Sequence, residues 1–229
     1  MDLDLKRVLS AKPGEPEDVE LTPLTTVWGE ALLADSDKVP SEYPRPRMRR
    51  EQWTCLNGWW DYAIVESSDA STLWRQARPP QVWDGRIRVP FSPEAALSGV
   101  GRVVQPTQLL WYRRTVAIDA LGADERLLLN FGAVDYACAC YVNGEQVGAH
   151  VGGYLPFGFD VTDVVRAGDN TLELCVYDPS EQGVQLRGKQ RLRRGNMWYT
   201  PQSGIWQTVW MEVVPASRVS TIEANASLD

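Results

Sequence analysis

The sequence predicts an all-β protein built as a jelly-roll or Greek-key sandwich, and three observations lead to this fold class. Short apolar runs alternate with turn signals, and no sustained 3.6-residue period marks a long helix. Asn143-Gly144 is a strong signal for a two-residue hairpin, with strand-like runs on both sides. Hydrophobic residues make up 44% of the chain and include ten Trp, which is enough apolar surface for a core between two sheets.

The expected strands are apolar or alternating runs bounded by turn residues. They are 58–65, 86–90, 110–118, 126–131, 134–142, 171–177 and 208–214, with 145–151 as the return strand of the hairpin. In 134–142, alternation places Tyr136, Cys138, Cys140 and Val142 on one face. Asp160 and Asp163 are expected to cap a short helical turn.

The chain divides into one large domain and two flanks. Residues 1–23 are polar and rich in proline, which is typical of a loosely held lead-in. Residues 24–215 are expected to form the sandwich, since all-β domains reach this length. Residues 216–229 are expected to form a linker or the first strand of a next domain.

Charge and cysteine content exclude several classes of function. With 23 Lys+Arg against 30 Asp+Glu, the formal charge of -7 argues against a nucleic-acid or anionic-membrane partner. The first residues have no apolar run of signal-peptide or membrane length, so we expect a cytoplasmic protein. Cys55, Cys138, Cys140 and Cys175 lack the paired spacing of a zinc site, so we expect reduced thiols, no metal and no cofactor.

Local motifs for catalysis are missing. His150 is the only histidine, which leaves no base and ligand set for nucleophilic chemistry. The glycines at 99–101 lack the spacing of a phosphate-binding loop. No pair of acidic residues is marked locally as a glycosidase pair.

The segment 177–206 is the least sandwich-like part of the chain, because it is long, polar and follows a strong strand. Fixed hydrogen-bonding groups beside an aromatic ring suit a sugar, whose hydroxyls need partners and whose C–H face packs on a ring. The alternative is a solvated basic loop with two aromatic residues that cover the sandwich. The candidate residues are Asp178, Arg187, Lys189, Gln190, Trp198 and Tyr199.

Several longer motifs, taken in order and spacing, resemble one family. They are EYPRPRMRREQW (42–53), LNGWWDYAI (56–64), VPFSPEAALSGVG (89–101), LWYRRTV (110–116), FGAVDYACACYVNGEQVGAHVGGYLPFGFDVTDVV (131–165), NTLELCVYD (170–178) and WYTPQSGIWQTVWMEVV (198–214). From about Leu24 onward the chain is similar to the amino-terminal sugar-binding domain of glycoside hydrolase family 2. That family contains β-galactosidases, β-glucuronidases and β-mannosidases.

The resemblance implies a jelly-roll sandwich like the galactose-binding domains, in the β-galactosidase-like branch of the family. In whole enzymes this domain precedes an immunoglobulin-like domain and a (β/α)₈ barrel that carries both catalytic glutamates of a retaining mechanism. The implied partners are therefore a terminal β-linked sugar and the downstream domains. The parent would be a retaining β-glycosidase, and this chain alone is expected to be inactive.

Site residues follow from the same resemblance. Asp178, the run from Arg187 to Gln190, and Trp198 with Tyr199 match the region that approaches the active site in family enzymes. Glu94 of PFSPE is a further candidate, since its loop ends a strand. Two other functions stay open: an autonomous carbohydrate-binding module, and a purely structural docking domain.

Overall fold

The computed structural model of the protein describes residues 26–35 and 38–227, so the expected lead-in 1–23 lies outside the described residues. The strands in this part of the chain are β1 (Trp53–Cys55), β2 (Gly58–Glu66), β3 (Gly85–Val89), β4 (Gln108–Ile118), β5 (Glu125–Phe131), β6 (Val134–Asp135), β7 (Ala137–Val142), β8 (Glu145–Val151), β9 (Phe157–Asp160), β10 (Gly168–Tyr177), β11 (Gly204–Ile205) and β12 (Val209–Pro215). The helices are α1 (Val27–Ala34) and α2 (Ala70–Leu73), with a 3₁₀ turn at Ala96–Ser98.

Two antiparallel sheets face each other, which confirms the predicted all-β sandwich. One has four strands in the order β1-β12-β5-β9, and the other has six in the order β3-β2-β4-β10-β7-β8. A small ribbon pairs β11 with β6. Strand β10 is central, because β4 and β7 bond to its two edges. It ends at Tyr177, so the next residue, Asp178, is placed at the end of the sandwich.

The core between the sheets is formed by alternate residues of the long strands. On β4, Leu110 and Tyr112 face this core, while Trp111 faces the other side of the sheet. Full burial of each large apolar side chain contributes about 1.5–3 kcal/mol to folding. Further members of the core are Trp60, Leu129, Phe131, Cys138, Cys140, Leu174, Ile205 and Val209.

The outer face of the six-stranded sheet is also buried in part. Trp74 and Trp83, from the excursion between β2 and β3, pack there around Trp111 and Tyr141. The Tyr141 hydroxyl donates to the Ala77 carbonyl at 3.0 Å, which ties the excursion to the sheet. Strands buried on both faces read as continuous apolar runs, as ACACYV does.

One sequence prediction of secondary structure is wrong. The run 134–142 is not one strand: β6 pairs with β11, and β7 pairs with β10 and β8. Tyr136, between them, packs with the outer cluster and not on the face of Cys138. After Pro215, residues 216–227 form no strand, and the expected linker or first strand of a next domain stays a prediction.

The predicted hairpin is confirmed, and its turn does more than reverse the chain. Asn143 and Gly144 have φ of 52° and 84°, as the turn between β7 and β8 requires. The Asn143 amide also donates to the Val164 carbonyl at 2.9 Å, and its side-chain oxygen accepts from the Thr171 N–H at 3.0 Å. The turn therefore fastens β8, the 161–165 turn and β10 together.

A segment that precedes β1 is fixed to the four-stranded sheet by a buried carboxylate. The Tyr43 hydroxyl donates to Glu212 Oε1 at 2.6 Å, and the Trp210 indole N–H donates to the same oxygen at 2.7 Å. Glu212 is 1% exposed, on β12. Burial, followed by the hydrogen bond to Glu212, raises the pKa of Tyr43 to about 12.

Candidate functional site

Three buried acidic side chains meet at one end of the sandwich. Asp178 directly follows β10, Asp135 ends β6, and Glu94 lies in the loop after β3. Their exposed fractions are 5%, 6% and 3%. Buried carboxyl groups are costly without partners, so their surroundings define what they can do. We refer to these three residues as the carboxylate cluster.

Ser203 joins two members of the cluster. Its backbone N–H donates to Glu94 Oε2 at 3.1 Å, and its hydroxyl donates to Asp178 Oδ2 at 2.7 Å. The remaining oxygens are also used: Val104 N–H donates to Glu94 Oε1 at 3.1 Å, and Ser180 N–H donates to Asp178 Oδ1 at 2.7 Å. Both carboxyl groups are thus held by fixed backbone donors.

The position of Ser203 follows from the glycine after it. Gly204 has φ of 77°, and a Cβ there would collide with the Tyr112 hydroxyl. That hydroxyl accepts the Ile205 N–H at 3.2 Å inside the core. The close approach, possible only for glycine, brings the β11 segment against β4 and directs Ser203 toward the cluster.

Asp135 differs from the other two members because its carboxylate accepts no hydrogen bond from the residues that the structure describes. Gly153 lies so close that a Cβ there would be 2.5 Å from Asp135 Oδ1. The backbone of Gly204 pairs with Asp135 across the β6-β11 ribbon, which fixes the residue's position. Asp135 is therefore the member of the cluster with acceptor capacity left for a ligand.

Burial dominates the electrostatics of the cluster. It raises the pKa of Glu94 to about 8, against the opposing effect of the N–H groups of Ser203 and Val104. Burial and then the charge of Asp178 raise the pKa of Asp135 to about 8. Burial also raises the pKa of Asp178, although its bonds from Ser203 and Ser180 lower it. The cluster consequently retains protons near neutral pH.

The excursion from Asp178 to Ser203 has its own framework of hydrogen bonds. Tyr199 N–H donates to the Lys189 carbonyl at 2.8 Å, and Arg191 N–H donates to the Tyr199 carbonyl at 3.0 Å. The Gln190 side-chain oxygen accepts from Gln202 N–H at 2.6 Å. The excursion is therefore a folded part of this end of the sandwich.

The candidates from the sequence fall into two groups in the structure. Asp178 and Glu94 come together through Ser203, whereas the residues of the excursion lie nearer the surface. Arg187 and Gln190 are half-buried, Lys189 is exposed, and Tyr199 is 64% exposed. Trp198 carries the Arg191 guanidinium over its ring, with 3.9 Å from the guanidinium carbon to the ring centroid.

Tyr154 connects the excursion to the carboxylate cluster. Burial raises the pKa of Tyr154, as do the charges of Asp135 and Asp178, whereas a hydrogen bond with Gln190 lowers it. A Cβ at Gly188 would lie 3.8 Å from the Tyr154 hydroxyl. The Tyr154 side chain thus lies between the excursion around Gly188 and the buried acids Asp135 and Asp178.

Sequence reasoning missed Asp135 and Tyr154. Asp135 was interpreted as one residue of a continuous strand, although a carboxylate within the apolar run FGAVDYACACYV is itself an unusual feature. Tyr154 lies in the loop between β8 and β9. Its phenol has an edge-on contact with Trp206, with 6.2 Å between ring centroids, and this contact is invisible in sequence.

In the described part of the chain, no group of three or more His, Cys, Asp and Glu side chains has an arrangement that could hold a metal ion. No helix among those residues is long and apolar enough to cross a bilayer. The four cysteines are free thiols, and three of them are buried.

Comparisons with known proteins agree with the fold. The profile described as "Glycosyl hydrolases family 2, sugar binding domain" matches residues 24–215. A putative β-glucuronidase of Formosa agariphila is 26% identical over 153 residues, which cover 66% of this chain and 16% of that protein. A β-galactosidase of Thermoanaerobacter pseudethanolicus is 28% identical over 112 residues, or 49% of this chain and 14% of that protein.

Solved structures show the same fold. A β-glucuronidase from an uncultured Clostridium sp. superimposes with a TM-score of 0.54 at 24% identity, over 73% of this chain and 30% of that one. The Bifidobacterium dentium β-glucuronidase, solved with coumarin-3-O-glucuronide, gives a TM-score of 0.51 at 26% identity, over 73% and 31%. This chain thus spans less than a third of the length of each of these relatives.

Proposed function

Because the chain belongs to the sugar-binding domain family of the family 2 glycosyl hydrolases, we propose that it forms one wall of the substrate pocket of a retaining β-glycosidase. In this proposal, the carboxylate cluster accepts hydrogen bonds from hydroxyls of a terminal β-linked sugar. Bond cleavage is carried out by glutamates of a barrel domain in the same enzyme. The barrel and an immunoglobulin-like domain are the proposed partners within that enzyme.

The observation that carries the proposal is the acceptor capacity of Asp135. The Asp135 carboxyl group accepts no hydrogen bond from the described residues, and sugar hydroxyls are donors that would occupy its free acceptor positions. Asp178 and Glu94 hold the surroundings of Asp135 in place through Ser203. The pocket wall is thus formed before a ligand arrives, which reduces the entropic cost of binding.

The same geometry argues against hydrolysis by the cluster itself. A retaining glycosidase needs one carboxylate free to attack carbon and another free to give a proton to the leaving oxygen. In the cluster, every oxygen of Asp178 and Glu94 accepts a hydrogen bond from the protein. The two groups are therefore engaged in structure and do not flank an open cleft.

The names of the relatives support two candidates for the terminal sugar. The curated relatives are called β-glucuronidases and β-galactosidases, and the Bifidobacterium dentium structure contains a glucuronide. Both substrates present equatorial hydroxyls at C2 and C3 of a pyranose ring, which suits a wall of fixed acceptors. We therefore take a β-galactoside or a β-glucuronide as the terminal sugar.

The proposal is tested by binding to the 229-residue chain. Methyl β-galactoside and methyl β-glucuronide are titrated at millimolar concentration while amide chemical shifts are recorded. We expect saturable shifts at residues around Asp135 and Ser203, and about tenfold weaker binding by Asp135→Asn. Asp119→Asn, an exposed residue just beyond β4, is the matched control. Shifts that do not depend on Asp135 would overturn the proposal.

The second part of the test is turnover. The purified chain is incubated with chromogenic β-galactoside, β-glucuronide and β-mannoside, and no release of the chromophore is expected. Release in proportion to protein concentration, kept through a further purification step, would contradict the division of labour proposed here. An autonomous carbohydrate-binding module would instead bind sugars tightly with the same lack of turnover.

A further inference from the structure

The chain contains the dipeptide Asn-Gly twice, at 57–58 and at 143–144. An asparagine that precedes glycine is prone to lose its side-chain amide spontaneously, because glycine has no Cβ to hinder its backbone nitrogen. That nitrogen attacks the side-chain carbonyl carbon of the asparagine. Since the two copies share one chemistry, their surroundings in the fold decide which of them reacts.

The Asn143 side chain is held in one orientation by three hydrogen bonds. Its Nδ2 donates to the Val164 carbonyl at 2.9 Å and to Asn170 Oδ1 at 2.8 Å, and its Oδ1 accepts the Thr171 N–H at 3.0 Å. The Asn143 backbone N–H also donates to the Thr171 carbonyl at 2.8 Å. Movement of the side chain toward the Gly144 nitrogen breaks these bonds, so we expect the reaction to proceed from a locally open hairpin.

The partners of Asn143 require an amide and not an acid. Asn170 is 1% exposed, and its Nδ2 donates to the carbonyls of Arg166 and Gly168 at 2.7 and 2.9 Å. These bonds direct its Oδ1, which is only an acceptor, toward Asn143, and the Val164 carbonyl is an acceptor as well. A carboxylate at position 143 would face two acceptors without a donor to offer. The acid that deamidation produces therefore cannot remake this tie.

The other Asn-Gly pair lies inside the sandwich. Asn57 is 6% exposed, its Oδ1 accepts the Val209 N–H at 3.0 Å, and its Nδ2 donates to the Pro40 carbonyl at 2.7 Å. Strand β12, which begins at Val209, has a neighbouring strand on both sides. Asn143 is instead half-buried, in the turn before β8, and β8 is an edge strand. An edge hairpin opens locally, whereas an internal strand opens with the whole domain.

We propose that Asn143 is a site of spontaneous deamidation that the closed hairpin protects and the open hairpin exposes, whereas Asn57 stays protected in the folded protein. The Gly144 nitrogen bonds to Cγ of Asn143, and the side-chain nitrogen leaves as ammonia with the proton of that backbone N–H. One water molecule then opens the cyclic imide at either carbonyl and leaves aspartate or isoaspartate. The modification is one-way, so it accumulates with the time that the hairpin spends open.

The experiment follows both sites in the same 229-residue chain. The protein is kept in mildly alkaline buffer with or without guanidinium chloride, and mass spectrometry of its peptides separates each amide from the heavier acid. In denaturant we expect Asn143 and Asn57 to react at similar rates. In the folded protein, Asn143 should react more slowly than in denaturant but at least about tenfold faster than Asn57, which corresponds to about 1.4 kcal/mol in the cost of opening.

Three variants test the role of the hydrogen bonds. Asn170→Ala removes one acceptor of Asn143 and should speed its deamidation in the folded protein about tenfold. Thr171→Val is the matched control and should leave the rate unchanged, because Thr171 contacts Asn143 through its backbone. Asn143→Asp reproduces one product, and amides of β8 should exchange hydrogen about tenfold faster in it than in the wild-type protein, while those of β4 keep their rates.

The outcomes that overturn the proposal are distinct. In the folded protein, Asn143 must neither react as slowly as Asn57 nor as fast as in denaturant. An unchanged rate in Asn170→Ala would show that the side-chain bonds give no protection, and wild-type exchange of β8 in Asn143→Asp would show that the product remakes the tie. The comparison of Asn143 with Asn57 is made within the wild-type chain, so it decides the matter even where a variant fails to fold.

Discussion

Ser203 illustrates how a single small residue organises the buried end of the sandwich. Its N–H and hydroxyl bond to two different acids, Glu94 and Asp178, that are 109 and 25 residues away in the chain. Both contacts lie in the buried interior, where an unmet acceptor is most costly. Loss of the hydroxyl alone therefore affects a carboxyl group and leaves the backbone bond intact.

The first prediction concerns this hydroxyl. Ser203→Ala removes the donor to Asp178 Oδ2, and we expect the free energy of unfolding to fall by about 1–3 kcal/mol. Urea denaturation followed by tryptophan fluorescence measures the change. Ser217→Ala, at an exposed position after β12, is the control and should change stability by less than about 0.5 kcal/mol. Equal stability of the two variants would contradict the role assigned to Ser203.

The second prediction concerns pH. In an unfolded chain the carboxyl groups have their ordinary pKa values, 4.5 for Glu and 3.8 for Asp, whereas Glu94 and Asp135 have a pKa of about 8 in the folded protein. Between these values the folded state binds more protons than the unfolded state, so stability falls as pH rises from about 4 to about 8. The contribution is complete below the lower limit and is lost above the upper one.

Asp135→Asn tests this directly, because the carboxylate has no hydrogen bond in the described structure that asparagine would lose. We expect the variant to be more stable than the wild-type protein by about 1 kcal/mol or more near pH 8, and to lose less stability with rising pH. Denaturant midpoints across the interval provide the measurement, with Asp119→Asn as control. A wild-type stability that rises through this interval would refute the assignment.

How far these residues could be predicted depends on the kind of signal each gives. Asp178 and Glu94 follow recognisable strands, so resemblance to the family found them from the motifs VYD and PFSPE. Asp135 gave no such signal, because its position in the cluster depends on β6 leaving the line of β7 to pair with β11. That change of partner is decided by packing at Gly153 and Gly204, which no local pattern records.

At the scale of elements, the β7-β8 hairpin is tied to the rest of the six-stranded sheet through its turn. Asn143 donates to the Val164 carbonyl and to the Asn170 side chain, and accepts from the Thr171 N–H. These bonds span three segments that are distant in sequence. The hairpin is thus stabilised by long-range contacts as well as by the turn geometry that the sequence predicts.

The third prediction separates those two contributions. Asn143→Gly keeps a residue that accepts positive φ but loses the side-chain bonds, so we expect a loss of about 1–3 kcal/mol in the free energy of unfolding. Glu145→Ala, an exposed neighbour on β8, should have little effect. If Asn143→Gly is neutral while Asn143→Ala is destabilising, only the backbone conformation matters and the long-range bonds contribute nothing.

At the scale of the whole molecule, the sandwich also holds a segment that precedes its first strand. Tyr43 and Arg45 reach the outer face of the four-stranded sheet, where Glu212 accepts from Tyr43 and lies 3.9 Å from the Arg45 guanidinium. The Arg45 guanidinium also lies over the Trp210 ring. Without this attachment, the Trp210 indole would be the hydrogen-bond donor left to the buried Glu212 carboxylate among the contacts described.

The fourth prediction follows from this attachment. Tyr43→Phe removes one donor to Glu212, and a loss of about 1–3 kcal/mol is expected because the carboxylate stays buried. Tyr62→Phe is the matched control, since Tyr62 is half-buried and its hydroxyl has no hydrogen-bond partner among the described residues. Limited proteolysis provides a second readout: cleavage between residues 40 and 50 should become faster only in Tyr43→Phe.

Strand β10 gives the carboxylate cluster and the nearby residues 187–194 different mechanical characters. Its ten residues span about 33 Å, and its amides are bonded to neighbouring strands on both sides. Asp178 directly follows this strand, so it is attached to the part of the protein that opens last. Residues 187–194 are held by a few bonds near the surface and should open locally far more often. In hydrogen exchange, amides around Leu174 should therefore outlast those around Lys189 by orders of magnitude. A ligand at the carboxylate cluster would meet a rigid set of acceptors beside a segment that opens more readily.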